Sequence, residues 1–177
     1  RTSSITTSVV EDVRVPASAL LGKEGMGFMI AMKTLDESRA YVGAGAVGIA
    51  QRAIDEAVKY SKQRVTFGKP ISNHQAIQFM LADMDIKTST ARSMVAEAVL
   101  RQERKLPYAK ESAIAKCYAG DIAVQVALDA IQILGGYGYS REYPVEKLLR
   151  DAKIFQIYEG TNQIQRMVIA KNVIKGK

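Results

Sequence analysis

The chain has 177 residues, of which 47% are hydrophobic and 24% charged, a balance that excludes a mostly disordered protein. Its single cysteine, Cys117, and single histidine, His74, exclude a disulfide framework and a site built from several such ligands, so we expect no bound metal. The net charge of +7 comes from basic residues that alternate with acidic ones, and charges interrupt the apolar runs, so we expect neither nucleic-acid binding nor a membrane span.

The first 24 residues differ in composition from the rest of the chain. Residues 1–15 are rich in Thr, Ser and Val, as β-strands are, and Pro16 ends this stretch. One or two strands without partners do not form a stable sheet. Since the chain also begins at Arg1 rather than at a methionine, we interpret residues 1–24 as the trailing strand segment and linker of a missing β domain, and residues 25–177 as a helical domain.

From residue 25 onward, apolar residues repeat every three or four positions, which is helical spacing. The pattern predicts three long helices. The first covers about 25–61 and the third about 108–134. The second begins with Ser72 or Asn73 as its N-cap and ends in the charged stretch before Pro107. Shorter helices are predicted after Pro144 and at about 163–174. No strands alternate with these helices, so we expect an all-α, up-down helical bundle. The predicted buried face of the third helix comprises Cys117, Gly120, Val124, Leu128, Ile131 and Leu134.

Gly43, Gly45 and Gly48 match the G-x-G-x-x-G spacing of dinucleotide-binding loops. That motif functions where a strand ends and a helix begins, so that backbone N–H groups face a pyrophosphate. Here the three glycines lie inside the first predicted helix. We therefore reject the motif and interpret these small residues as a close contact between helices.

Arg39 occupies a position of the apolar stripe between Leu35 and Val42. A charge in such a position is costly unless it is paired or lines a cavity. One interpretation is an ion pair with Asp36, three residues earlier on the same helix. The other is a helix face that meets a polar ligand.

Two segments at helix ends carry residues suited to binding a nucleotide. In the stretch Arg64-Val65-Thr66-Phe67, the arginine can donate two parallel hydrogen bonds to a phosphate, beside a hydroxyl and an aromatic ring. In residues 132–136 (QILGG), glycines let a ligand approach the backbone closely. Each segment also has an interpretation without a ligand. The first can be an ordinary loop, and the second can be a helix C-cap followed by a tight turn.

Glu159 is the strongest candidate for chemistry. The apolar residues Ile154, Phe155, Ile157 and Tyr158 precede it, and Gly160 lets the backbone turn directly after it. A carboxylate in apolar surroundings is a stronger base because burial disfavours the charged form. The following Thr161 is predicted to cap the last helix. The alternative is a glutamate exposed in a surface loop.

Taken together, these segments resemble the C-terminal part of the acyl-CoA dehydrogenases, from about residue 9 to the end of the chain. The resemblance is carried by residues 64–68 (RVTFG), 132–136 (QILGG) and 150–166 (RDAKIFQIYEGTNQIQR). Residues 142–147 (EYPVEK) make it most similar to the medium-chain enzymes.

The resemblance implies an FAD-dependent α,β-dehydrogenation of a fatty acyl-CoA to the trans-2-enoyl-CoA, in fatty acid β-oxidation. It implies a homotetramer, a dimer of dimers, in the mitochondrial matrix, with electron-transfer flavoprotein as the electron acceptor. It also implies that an N-terminal helical domain and a middle β domain complete the flavin site. We therefore expect this chain alone to bind FAD weakly or not at all and to have no turnover.

By the same resemblance, Glu159 matches the catalytic base, and Asp36, Arg39 and Gly160 match substrate-binding positions. Some relatives carry the base on the first long helix, at the position of Ser38, which cannot act as a base. The implied cofactor-binding residues are Arg64, Val65, Thr66, Phe67, His74, Gln75, Gln132, Ile133, Leu134, Gly135, Gly136, Thr161, Asn162 and Gln163. By the resemblance, the pyrophosphate and adenosine of a neighbouring subunit's FAD would be held by Arg64, Thr66, Phe67, Gln132 and Gly136, whereas Thr161 and Gln163 would contact the FAD of their own subunit. His74 and Gln75 match a further segment on the cofactor side, and for His74 we expect a supporting role.

Two other functions remain open at this stage. An acyl-CoA oxidase has the same fold but transfers its electrons to oxygen. A non-catalytic helical oligomerisation module would use the apolar stripes only to associate.

Overall fold

The computed structural model describes residues 6–176. Six helices make up most of this part of the chain: α1 Gly27–Gln63, α2 Gln75–Glu103, α3 Ala109–Leu134, α4 Gly136–Tyr139, α5 Val145–Ile154 and α6 Asn162–Ile174. The two-residue strands β1 Val65–Thr66 and β2 Lys69–Pro70 pair antiparallel in a small hairpin. The predicted all-α bundle is therefore confirmed.

Helix α3 lies at the centre of the bundle and packs against α1, α2, α5 and α6. Alanines dominate its contact with α1, and the core alanines of the two helices are 0% exposed. Such small side chains let two helix axes approach closely. At Gly43, an added Cβ would lie 3.0 Å from a Val95 methyl carbon and 3.4 Å from the carbonyl oxygen of Ala115. The predicted close packing is therefore present at Gly43 and, against the Phe155 ring, at Gly45, whereas Gly48 is exposed and an added Cβ there would meet nothing within 4 Å.

Helix α3 is also long and apolar enough, by composition, to cross a membrane. The sequence analysis expected no such segment. In the structure, 56% of its most apolar window is buried inside the protein, as in the core helix of a helical bundle. The same helix carries the charged side chains of Lys116 and Asp121.

Two expectations for the helical part are wrong in detail. The structure begins α2 after His74, because Ile71–Asn73 forms a 3-10 turn; neither Ser72 nor Asn73 is therefore the N-cap. Leu128 is 49% exposed and does not belong to the buried face of α3. That face is instead defined by smaller residues, mainly alanines.

The N-terminal segment forms no strand between residues 6 and 15, where its valines are exposed. The β-type composition therefore does not produce a strand within these residues, which have no neighbouring strand to pair with. Residues 1–5, the rest of that predicted segment, lie outside the described part. The assignment of residues 1–24 to another domain stays a prediction.

Candidate functional site

Glu159 lies in a tight turn between α5 and α6, where two successive residues adopt left-handed backbone conformations. Its φ is +55°, and that of Gly160 is +82°. The Glu159 side chain is half-buried, and one of its carboxylate oxygens accepts a hydrogen bond of 2.9 Å from the Ser38 hydroxyl on α1. Among residues 6–176, the Glu159 backbone N–H has no hydrogen-bond acceptor. A carboxylate and an available N–H of one residue are thus fixed on the same turn.

The apolar approach to Glu159 is only partly buried. Phe155 and Tyr158 stack edge to face, with ring centroids 5.3 Å apart. Burial raises the pKa of Tyr158, and the negative charge of Glu159 adds to the effect. Ile157 remains 48% exposed. The predicted apolar surroundings of the carboxylate are therefore present on one side only.

Two buried side chains donate hydrogen bonds to the backbone carbonyl groups of this turn. Lys116 on α3 donates a hydrogen bond of 2.7 Å from its Nζ to the carbonyl oxygen of Gly160. Gln165 on α6 donates from its Nε2 to the carbonyl oxygens of Glu159, at 3.1 Å, and Gly160, at 3.0 Å. Lys116 is 1% exposed and Gln165 is 0% exposed. The sequence analysis missed both residues.

A polar network joins the turn to α3. The side chain of Asn162 is 2% exposed; it donates to the Cys117 carbonyl at 3.0 Å and to Asp121 at 2.8 Å, and it accepts from Lys116 at 3.0 Å. Partial burial alone would raise the pKa of Asp121, but hydrogen bonds from the side chains of Arg166, Asn162 and Gln156 outweigh it and lower that pKa. The amide of Asn162 is thus engaged inside the protein, which argues against its predicted cofactor contact.

The start of α6 confirms one local prediction. The Thr161 hydroxyl accepts a hydrogen bond of 3.3 Å from the Ile164 backbone N–H and caps the helix. Gln163 is exposed. Both side chains lie on the same segment as Glu159, so a ligand near that carboxylate can reach them.

Asp36 and Arg39 form the ion pair that one interpretation predicted. Arg39 is 4% exposed, and its buried Nε has no hydrogen-bond partner within residues 6–176. Asp36 also lines a cavity of about 610 Å³ beside Tyr108, whose pKa is raised by burial first and then by nearby acidic groups. The ion pair therefore compensates the buried charge of Arg39. The half-exposed carboxylate of Asp36 also faces this cavity, which a polar ligand can enter.

A second site forms where the ends of α1 and α3 meet. A cavity of about 580 Å³ brings together segments that lie some 70 residues apart in sequence, and among the residues that line it are Arg64, Thr66, Ile133, Leu134, Gly135 and Gly136. Tyr60 and Tyr137 also line it, and their ring centroids are 6.2 Å apart. These two tyrosines, missed by the sequence analysis, add aromatic surface to the predicted arginine, hydroxyl and glycine groups.

The other cofactor residues predicted between positions 65 and 132 do not line this cavity. His74 lies 3.1 Å from the Thr66 hydroxyl through its Nε2 and packs edge-on against Phe67, so it supports the hairpin. Phe67 itself is 97% exposed, with a φ of +49°. The exposed residues Val65, Gln75 and Gln132 lie on β1 and at the ends of α2 and α3.

The two sites are separated along α3. Lys116, below the Glu159 turn, and Ile133, in the cavity, are 17 residues apart on this helix, which corresponds to about 25 Å. Within one copy of the chain, they are therefore distinct sites. Among the described residues, no group of three or more His, Cys, Asp and Glu side chains could hold a metal ion.

Comparisons with known proteins agree with this geometry. Residues 25–174 match the family model described as acyl-CoA dehydrogenase, C-terminal domain. An acyl-CoA dehydrogenase of Bacillus subtilis (strain 168) is 51% identical over 174 residues, which are 98% of this chain and 46% of that protein. The chain thus spans about half the length of the curated relatives it matches.

Solved structures give the same result. Butyryl-CoA dehydrogenase from Megasphaera elsdenii has a TM-score of 0.92 and 52% identity, covering 94% of this chain and 43% of that one. A chain from a structure described as the electron transferring flavoprotein of Acidaminococcus fermentans has a TM-score of 0.93 and 51% identity, covering 94% and 44%. The chain belongs to the acyl-CoA dehydrogenase family, a flavin-dependent family, and corresponds to its C-terminal helical domain.

Proposed function

We propose that the protein containing this chain is an FAD-dependent acyl-CoA dehydrogenase in which Glu159 is the catalytic base. The observation that carries this proposal is the turn itself. It holds the carboxylate of Glu159 next to the Ser38 hydroxyl and leaves the N–H of the same residue without an acceptor among residues 6–176. A base and a hydrogen-bond donor on one rigid turn suit the removal of a proton beside a carbonyl group.

The chemistry follows from these two groups. The Glu159 carboxylate accepts a proton from the α-carbon of the acyl thioester. The N–H of Glu159 donates a hydrogen bond to the thioester oxygen, where negative charge develops as the α C–H bond breaks. A bound flavin supplies the two-electron acceptor for the hydride that leaves the β-carbon, so a carbon–carbon double bond remains.

The cavity beside Arg64 suits the phosphate and adenine parts of FAD. The Arg64 guanidinium forms no ion pair within residues 6–176, so its donors are available to a phosphate. At Gly135 and Gly136, an added Cβ would meet nothing within 4 Å, so the backbone is open to a ligand. Tyr60 and Tyr137 offer aromatic surface for a flat ring.

The cavity and the Glu159 turn are about 25 Å apart along α3. This distance supports an arrangement in which the two sites of one chain contact two different FAD molecules. We propose that the cavity binds the FAD of a neighbouring subunit while Thr161 and Gln163 contact the FAD beside Glu159. Each active site then needs two copies of the chain, within a homotetramer made of two dimers. Fatty acid β-oxidation is the proposed process, and electron-transfer flavoprotein the proposed electron acceptor.

For the acyl chain, we propose a short one rather than the medium length expected from residues 142–147. The support is the similarity to an enzyme named for butyryl-CoA, a four-carbon thioester. A location in the mitochondrial matrix stays a proposal, and the relatives reported above are bacterial. The oxidase alternative predicts release of peroxide on addition of acyl-CoA without any flavoprotein acceptor.

The test is Glu159→Gln in the full-length, FAD-loaded enzyme, with butyryl-CoA as substrate and a dye as electron acceptor. We expect kcat to fall at least about 10³-fold, because the amide cannot accept the α-proton. Flavin content and the KM for butyryl-CoA should stay close to those of the wild type. Normal turnover in this variant would contradict the proposal, and a pure oligomerisation module would show no turnover in either protein.

A further inference from the structure

The turn that carries Glu159 places this residue in an unfavourable backbone conformation. Glutamate rarely adopts a positive φ, since its Cβ then crowds the backbone. A conformation of this kind is strained and persists only where the surroundings enforce it. In this chain, the residue proposed as the base has a φ of +55° and is followed by a glycine at +82°.

What enforces the conformation is a pair of buried donors. The ammonium group of Lys116 reaches the Gly160 carbonyl at 2.7 Å, and the amide of Gln165 reaches the carbonyls of both turn residues at 3.1 and 3.0 Å. Three hydrogen bonds thus converge on two successive carbonyl oxygens. An added Cβ on Gly160 would lie 2.9 Å from the Gln165 Nε2, so the donors leave no room for a side chain there.

The buried ammonium group of Lys116 is energetically unfavourable at its position on α3. Burial lowers its pKa to about 8, although the acidic groups Cys117, Asp121 and Glu159 oppose the shift; Arg39 on α1 adds to it. A buried ammonium loses its hydration, and hydrogen bonds to neutral oxygens such as those of Gly160 and Asn162 recover only part of that loss. A buried ammonium that donates to the turn of the proposed base therefore suggests a role in the reaction.

We propose that Lys116, together with Gln165, is a positioning residue that fixes the left-handed turn and so aims the carboxylate and N–H of Glu159 at the substrate. This inference rests on the proposed function of Glu159. Neither side chain touches the reacting atoms. Their effect passes through the two carbonyl oxygens that they hold.

Loss of the Lys116 donor lets the turn relax toward ordinary negative φ. The carboxylate then rotates relative to Ser38 and to the α-carbon of the substrate. Misplacement of a catalytic group by about 1 Å can reduce a rate about 100-fold. The α-proton transfer should therefore slow, while substrate binding, which uses other residues, should change little.

The experiment uses the full-length, FAD-loaded enzyme and measures proton removal separately from oxidation. Acetyl-CoA has α-hydrogens but no β-carbon, so its exchange of hydrogen for deuterium in D₂O reports the action of the base without hydride transfer. The variants are Lys116→Met, which keeps the length of the side chain but removes its donors, and Glu159→Gln. The matched control is Lys59→Met, an exposed lysine 21 residues beyond Ser38 on α1, or about 30 Å along the helix.

We expect Lys116→Met to slow exchange and kcat about 10- to 100-fold, with the KM for butyryl-CoA and the flavin content within about threefold of wild type. Lys59→Met should behave as wild type. Exchange within twofold of wild type in Lys116→Met, alongside its loss in Glu159→Gln, would overturn this inference and leave the proposed function intact. Exchange at the wild-type rate in Glu159→Gln would instead refute the proposed function.

A second variant keeps the inference testable if Lys116→Met fails to fold. The Oε1 of Gln165 is buried without a hydrogen-bond partner among residues 6–176. Gln165→Met therefore removes an unsatisfied oxygen as well as the donor, and Lys116 still donates to the Gly160 carbonyl in this variant, so we expect it to destabilise the fold less than Lys116→Met does. We expect exchange to slow about 3- to 10-fold, with an unchanged KM. A wild-type exchange rate in a folded Gln165→Met variant would count against the inference.

Discussion

The turn at Glu159 and the cavity beside Arg64 are built in opposite ways. At the turn, the side chains that hold the backbone are almost fully buried, since Lys116 is 1% and Gln165 is 0% exposed. At the cavity, the Arg64 side chain is exposed and forms no ion pair within the described residues, and Phe67 is 97% exposed. The backbone of the turn is held by buried side chains of this chain, whereas the cavity presents groups that a ligand or a second subunit would satisfy.

Because of this difference, substitutions at the two sites should have different effects on stability, catalysis and binding. A change at the turn should lower both stability and the rate of chemistry, because the same buried contacts serve both. A change at the cavity should lower binding without affecting the fold. Substitutions at the two sites, each with a matched control, test whether the two responses differ in this way.

Gly160→Ala should have the largest effect. Alanine at a φ of +82° is strained, and its Cβ would lie 2.9 Å from the Gln165 Nε2. We expect the free energy of unfolding to fall by about 2 kcal/mol and kcat to fall about 10- to 100-fold. Urea denaturation and steady-state kinetics measure the two effects.

The control for that variant is Gly48→Ala. Gly48 lies in the exposed middle of α1, where an added Cβ meets nothing within 4 Å. Alanine there should raise the free energy of unfolding by about 0.5–1 kcal/mol, because it favours the helix. Equal effects of the two substitutions would mean that the turn is not enforced by its surroundings.

Arg64→Ala should weaken FAD binding without destabilising the chain. Loss of a charge-assisted hydrogen bond to phosphate removes about 1.5–3 kcal/mol, or about 10- to 100-fold in Kd. The free energy of unfolding should change by less than about 0.5 kcal/mol, since the side chain is exposed. FAD titration of the full-length apoprotein measures the first quantity, and Arg104→Ala, an exposed arginine at the end of α2, is the control. A loss of stability with unchanged FAD affinity would contradict the assignment.

Features that depend on nearby residues could be predicted from the sequence. Helix periodicity, the Thr161 cap and the Asp36–Arg39 pair all involve partners within a few positions, and the structure contains each of them. The start of α2 was misplaced by one or two residues because a 3-10 turn and a helix share the same local preferences. The β-type composition of residues 6–15 forms no strand because a strand also needs a partner.

The support of the Glu159 turn could not be predicted, because its partners are distant in sequence. Lys116 meets the Gly160 carbonyl across 44 positions. One signal was nevertheless available. Lys116 falls in the stripe with Ser112, Gly120 and Ala123 on α3, all of them buried, just as Arg39 falls in the stripe of α1. A search of both helices for a charged residue within the apolar stripe would have identified both buried cations.

The stability of the chain should depend on pH through Lys116. Its pKa falls from the ordinary value of 10.5 to about 8 on folding, because burial disfavours the ammonium. Between these two values, the unfolded chain binds more protons, so rising pH favours the folded state. Relative to Lys116→Met, the free energy of unfolding of the wild type should therefore rise between about pH 8 and pH 10.5, by about 2–3 kcal/mol. Urea denaturation at several pH values measures it, and parallel curves for the two proteins would contradict the lowered pKa.

Ser38→Ala should have the smallest effect. The hydroxyl donates a hydrogen bond of 2.9 Å to one carboxylate oxygen of Glu159, and a single neutral donor of this kind contributes about 1 kcal/mol. The turn remains held by Lys116 and Gln165 in this variant, so the carboxylate loses an orienting contact but not its backbone position. We expect kcat for butyryl-CoA to fall by no more than about fivefold and the free energy of unfolding by about 1 kcal/mol, with KM unchanged. A loss as large as that of Lys116→Met would mean that contact with α1, rather than the buried donors of α3 and α6, determines where the base points.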